Sequence, residues 1–124
     1  MTLDLASTFA VLQPDQSVEL VKVTPTVYEE LDRRFDHFKG RVLVSLFAFD
    51  TDWPSWERHP AGDEIVCLLS GEATFELEGR ASVHLHAPGT YAVVPKGVWH
   101  TAHTKVPTRM LFITPGEGTE HRRI

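Results

Sequence analysis

The sequence predicts an all-β fold, a sandwich or jelly-roll-like barrel with one short N-terminal helix, and three observations lead there. Short apolar runs recur along most of the chain, closed by turn residues such as Gly71, Gly79-Arg80, Pro88-Gly89 and Lys96-Gly97. The apolar residues keep the period of strands everywhere except between Thr24 and Gly40. The composition, 42% apolar and 23% charged over 124 residues, is that of an ordinary globular chain. It excludes a disordered, collagenous or coiled-coil protein and suits one domain over residues 1–124.

Thr8–Leu12 and Ser17–Val23 read as two early strands separated by Pro14-Asp15. Thr24-Pro25, with Thr26 and Glu29 in capping-box spacing, opens a helix. Val27, Leu31, Phe35 and Phe38 continue it at helical spacing, Gly40 can end it, and its charged face carries His37 into solvent. Val42–Phe49 is the next strand, apolar enough to be buried on both faces. Glu64–Ser70, Ala73–Glu78, Ser82–His86, Tyr91–Pro95, Trp99–His103 and Arg109–Thr114 follow as strands. Residues 1–40 are thus expected to pack on or extend a barrel core of residues 41–115, with residues 116–124 as a tail. Phe47, Phe49 and Tyr91 are expected in the core.

The charge balance, 12 Lys plus Arg against 17 Asp plus Glu, gives a formal net charge of -5. Arg33-Arg34 and Arg122-Arg123 are the only basic pairs and make no stripe, so no nucleic acid is expected as partner. The single cysteine, Cys67, excludes an internal disulfide and cysteine-pair zinc or redox sites, and its apolar run reads it as a small buried hydrophobe. No run approaches the roughly 18 apolar residues of a membrane span, and Met1–Asp4 lack the basic region of a signal peptide. A reducing cytoplasm is the expected setting.

Among the seven histidines, parity separates those that can converge from those that cannot. Glu57 and His59 share one side of an extended segment, the Pro60–Asp63 turn follows, and Glu64 opens the next strand. Those three can meet at one point, and His100, after the Pro95–Gly97 turn, can come from a distant strand as the fourth group. Imidazole nitrogen with carboxylate oxygen suits a divalent Fe, Mn, Ni, Co or Zn ion. His84 and His86 alternate with Val83 and Leu85 and so share a solvated face. His103 has the opposite parity to His100 and reads as a rim residue; His121 lies in the tail. Trp53, Trp56 and Trp99 flank the proposed ligands and, with His103, are candidates for a substrate pocket or for packing at a barrel mouth.

The order His59-x4-Glu64-x6-Gly71, followed by Gly89-x5-Pro95-x-Gly97-x2-His100, resembles the two sequence motifs of the cupin superfamily, in its small single-domain, type-2 conserved-barrel form. The resemblance implies a double-stranded β-helix with a metal ion deep in its mouth, held here by His59, Glu64 and His100. The family's further histidine falls at Glu57. That glutamate either ligates through oxygen or leaves a two-histidine, one-carboxylate set, in which case it is the candidate general base; an ion-free polar cluster is the remaining reading. The family's reactions include dioxygenases and isomerases or lyases acting on small molecules, and a non-catalytic ligand-binding or sensing barrel is the alternative. Cupins commonly pair, so a homodimer is expected, with the early strands as candidates for exchange.

Overall fold

Eleven strands make up most of the computed structural model, which describes residues 1–124, and along β1, β5, β6, β8 and β10 alternating burial separates a core face from an outer one. In chain order the elements are β1 (Thr8–Leu12), β2 (Val18–Lys22), α1 (Val27–Arg34), β3 (Val42–Phe49), β4 (Ser55–Arg58), β5 (Glu64–Ser70), β6 (Ala73–Leu77), β7 (Val83–Leu85), β8 (Tyr91–Val94), β9 (His100–His103), β10 (Thr108–Thr114) and β11 (Glu120–Arg123). Two antiparallel sheets face each other, one ordered β2-β1-β3-β10-β5-β8 and the other β11-β4-β9-β6-β7. This is the expected all-β jelly-roll architecture with one short helix. No helix is long and apolar enough to cross a membrane.

The core has two parts. Between the sheets, Val66, Leu68, Phe75, Met110 and Phe112 pack with their neighbours at close to zero exposure. A second cluster joins Phe9, Val11, Val21 and Leu43 to Val27 and Leu31 of α1 and to Phe35 and Phe38 beyond it. The bend between β5 and β6 needs Gly71: its φ is +84°, and a Cβ there would stand 2.8 Å from the Cα of Thr108.

Three expectations, two about the ends of the helix and one about the end of the chain, are corrected. The helix stops at Phe35 rather than near Gly40, because Asp36, His37 and Phe38 form a left-handed turn with φ of +53°, +55° and +60°. Such geometry costs non-glycine residues roughly 1–2 kcal/mol each. Here it is held by hydrogen bonds from the His37 N–H to the Asp32 carbonyl (2.8 Å) and from the Lys39 N–H to the Asp36 carbonyl (3.1 Å). Burial of Phe35 and Phe38, packed edge-to-face at 6.2 Å, fixes its other side. The capping box is absent: Thr26 makes no side-chain cap, and Thr24 Oγ1 instead accepts the Thr26 N–H at 3.3 Å. Residues 116–124 are not a free tail, since β11 pairs with β4 in register, His121 opposite Glu57.

The outer face of the six-stranded sheet also departs from expectation. The register aligns Leu20, Ala10, Val44, Ile113, Ile65 and Val93 in one row and Leu46, Leu111, Cys67 and Tyr91 in a second. These residues are half-buried or exposed, so β3 is not buried on both faces, Tyr91 is a surface residue, and Cys67 is half-exposed. Phe47 is exposed as well, on the inner face of the same sheet, where it stacks on Phe49 at 5.6 Å beside an open cavity. Apolar pattern alone does not tell an inner face from an uncovered outer one.

Candidate metal centre

Four polar side chains on inner faces meet between the sheets. Glu57 on β4 stands opposite His100 on β9 in the register, and His59 follows β4 with the same parity as Glu57. Glu64, first residue of β5, reaches in from the other sheet. One donor atom from each lies within 4.8 Å of all the others. His59 Nε2 is 3.2 Å from Glu57 Oε1 and 3.3 Å from Glu64 Oε2, while His100 Nε2 is 3.5 Å from Glu57 Oε1 and 3.2 Å from Glu64 Oε1.

The outward sides of the two imidazoles settle how they present themselves. Thr119 Oγ1 lies 2.8 Å from His59 Nδ1 and gives its own proton to the Gly116 carbonyl at 2.9 Å, so it can only accept from Nδ1–H. The Val98 carbonyl, an acceptor only, is 3.3 Å from His100 Nδ1. In the neutral form both rings therefore turn a bare Nε2 towards the carboxylates. Thr114 donates to Glu64 Oε2 at 2.6 Å and holds that carboxylate from behind.

Glu64 Oε1 and His100 Nε2 are fully buried and neither makes a hydrogen bond, although only 3.2 Å separates them. They are near enough to attract but not aligned as donor and acceptor. Orphaned buried polar atoms are rare and costly. Two of them beside two further nitrogen and oxygen donors suit a common cation, and the donor set fits a divalent Fe, Mn, Ni, Co or Zn ion.

Burial by itself would lower the imidazole pKa values, but contact with Glu57 and Glu64 overturns this and holds His59 and His100 up at about 9. Burial would likewise raise the two carboxyls, and the histidines hold both below the usual range instead. With no ion bound, the two carboxylates thus favour the protonated form of both rings.

The cluster opens onto a cavity of about 580 Å³, a size common for small-molecule sites. Its walls come from three places: Tyr28, Asp32 and Phe38 in and after α1, Phe47, Trp53 and Phe112 from the barrel, and Thr119 and His121 at β11. His121 Nε2 lies 3.3 Å from Glu57 Oε2, on the side away from the cluster. Tyr28 exposes much of its ring, yet its hydroxyl pKa is raised, first by lost solvation and then by the negative field of Glu57 and Glu64.

Of the expected pocket residues, Trp53 lines this cavity and the other three do not. Trp56 and Trp99 face outward, where the Arg122 guanidinium lies 5.6 and 4.6 Å from their rings and Arg58 stacks on Trp99 at 4.9 Å. His103 sits on the outer face of the second sheet, between Asp52 (3.1 Å) and Glu76 (2.9 Å). Parity had indicated that orientation, and sequence proximity to His100 had obscured it. His84 and His86 are exposed, as expected, with His84 beside Glu72 at 3.1 Å. Sequence reading missed Thr114, Thr119 and His121. Thr114 carries a signal, a polar residue at an inward position of an apolar strand, and Thr119 and His121 carry only their spacing of two.

Comparison with known proteins agrees with this geometry. The family model described as a Cupin domain matches residues 48–114. No curated protein matches the sequence. Among solved structures, a cupin superfamily protein from Desulfitobacterium hafniense is 31% identical with a TM-score of 0.51, over 59% of this chain and 65% of that one. DMSP lyase DddQ from Ruegeria pomeroyi is 28% identical with a TM-score of 0.52, over 67% of this chain and 42% of that one. Hydroquinone 1,2-dioxygenase from Sphingomonas sp. TTNP3 is 18% identical with a TM-score of 0.51, over 59% and 58% of the two chains, and shows the shared fold alone. This chain spans less than two thirds of each of the three. The match over residues 48–114 takes in all four converging side chains and both sequence motifs, and on that match the chain belongs to the cupin family.

Proposed function

We propose that the protein is a metal-dependent cupin enzyme that holds one divalent ion through Glu57, His59, Glu64 and His100 and acts on a small polar molecule in the adjoining cavity. The observation that carries this reading is the orphaned pair Glu64 Oε1 and His100 Nε2, buried 3.2 Å apart at the end of an open cavity. A bound ion supplies Lewis-acid polarisation of a substrate oxygen, or redox chemistry where the metal allows it. The chain's own residues orient the ligands: Thr119 and the Val98 carbonyl fix the two rings, Thr114 fixes Glu64, and Phe47, Trp53 and Phe112 line the approach. His121, touching Glu57 from the mouth, is the group best placed to carry a proton between cavity and solvent. The 28% identity to a DMSP lyase supports lyase- or isomerase-type chemistry ahead of oxygenation, because the likeness to the dioxygenase speaks for the fold alone.

Elemental analysis of tag-free protein tests the centre. We expect near one equivalent of Fe, Mn, Ni, Co or Zn, lost in His59→Ala. An oxygen electrode then separates oxygenase from lyase. Protein that takes up no ion even after soaking, while still binding small molecules, returns the barrel to the non-catalytic, ligand-binding reading. We also infer one domain over residues 1–124, a cytoplasmic setting, and a homodimer paired through the apolar outer rows of the six-stranded sheet.

A further inference from the structure

The cavity carries a charge signature that bears on what it can admit. Three carboxylates line it, Asp32, Glu57 and Glu64, and none of the chain's twelve lysines and arginines does. A divalent ion bound by the cluster balances Glu57 and Glu64. Asp32 is left on α1, in the helical row Tyr28, Leu31, Asp32 that forms one wall. Its one side-chain partner is His37, at 3.1 Å, and both are well exposed, so the pair is loose and screened. The barrel side of the wall is partly aromatic: Phe47 and Trp53 pack edge-to-face at 6.4 Å, and Trp53 and Phe112 are tilted together at 6.0 Å. Aromatic faces attract cations and tolerate neutral rings, and a negative rim without a compensating cation repels anions.

We propose that the site selects uncharged or cationic small molecules that bring one metal-binding oxygen group, and rejects anionic ones, with Asp32 as the selecting charge. The proposal rests on the metal-dependent reading above and deepens it by naming the substrate class. Phosphorylated and polycarboxylate metabolites fall outside that class, because no lysine or arginine in the walls offers them a fixed counter-charge, and the two histidines of the walls, His37 and His121, stand against Asp32 and Glu57.

Three catechols that share the same chelating diol and differ in a remote charge test it: dopamine (cationic), 4-methylcatechol (neutral) and 3,4-dihydroxybenzoate (anionic). Their binding to the Co²⁺-loaded and the EDTA-treated protein is read by isothermal titration calorimetry at neutral pH. The expected order is dopamine, then 4-methylcatechol, then 3,4-dihydroxybenzoate, with about tenfold between the first and last. Asp32→Asn shrinks the gap several-fold and Asp32→Lys reverses it, while Glu29→Gln, on the exposed face of the same helix, leaves it unchanged. Equal binding of all three to the Co²⁺ form, tighter binding of the anion, or an order unmoved by Asp32→Asn overturns the proposal and leaves the metal site standing. No tighter binding to the Co²⁺ form than to the EDTA-treated form, by any of the three, instead overturns the metal site on which it rests.

Discussion

Two acceptors behind the rings, the Thr119 hydroxyl and the Val98 carbonyl, decide which nitrogen of His59 and His100 faces the ion. Partners at that position commonly change metal affinity 10- to 100-fold. Thr119→Val keeps the shape of the side chain and removes the acceptor, so we expect metal affinity about 10- to 100-fold lower with little change in fold. Competition with a chelator of known affinity measures it, and unchanged affinity removes Thr119 from the site. Protonation gives a second handle. With His59 and His100 at about 9 in the ion-free protein, an ion entering at pH 7 displaces about two protons, and its apparent affinity climbs by about two decades per pH unit between 6.5 and 8.5. The sign is fixed by the raised values: the protons stabilise the ion-free fold fully below the ordinary histidine range and are lost as pH rises through about 9. Calorimetry in buffers of different ionisation enthalpy counts the protons, and a count of zero contradicts the pairing described for the cluster.

At the scale of elements, the left-handed turn after α1 carries both a cost and an anchor. Phe38→Ala empties a site at 6% exposure in the second core cluster, and we expect about 3–5 kcal/mol of lost stability. Asp36→Gly removes a side chain from an exposed residue at φ +53°, and we expect a change between neutral and about 1 kcal/mol stabilising. Urea unfolding reads both, and strong destabilisation by Asp36→Gly shows that the turn is held by the Asp36 side chain. The same turn shows where sequence stops informing. Spacing of Val27, Leu31, Phe35 and Phe38 correctly marks one buried face, but a left-handed turn can present Phe38 to that face as well as a helix can. Val42–Phe49 and Glu64–Ser70 were legible to the residue because each is a continuous apolar run closed by turn or polar residues on both sides. β11 was not, since all four of its residues are exposed and none leaves an apolar trace. Its pairing with β4, with Arg122 over Trp56 and Trp99, is a long-range fact. The converging groups Glu57, His59, Glu64 and His100 were legible from parity and motif order, whereas Thr119, which orients His59, and His121, which lines the cavity with it, sit in a segment without either.

For the whole molecule, the two apolar rows on the outer face of the six-stranded sheet are a surface that nothing in the chain covers. One row runs across all six strands and the other across four, and neither carries a charge, an extent uncommon on monomeric proteins; a two-fold axis would set the same rows of two copies against each other. We expect a dimer in sedimentation equilibrium, and the double variant Tyr91→Glu with Val93→Lys, both exposed on the edge strand β8, shifts it to monomer without unfolding it. A monomeric parent protein overturns the pairing. More than half of the residues lining the cavity, among them Tyr28, Asp32, Phe38 and His121, come from outside residues 48–114, whereas the four converging side chains lie inside that segment. Mutations that retune what enters the cavity therefore fall on different stretches of the gene from those that hold the ion. A lineage carrying this fold can drift in substrate preference through its flanks while its reaction centre is inherited intact.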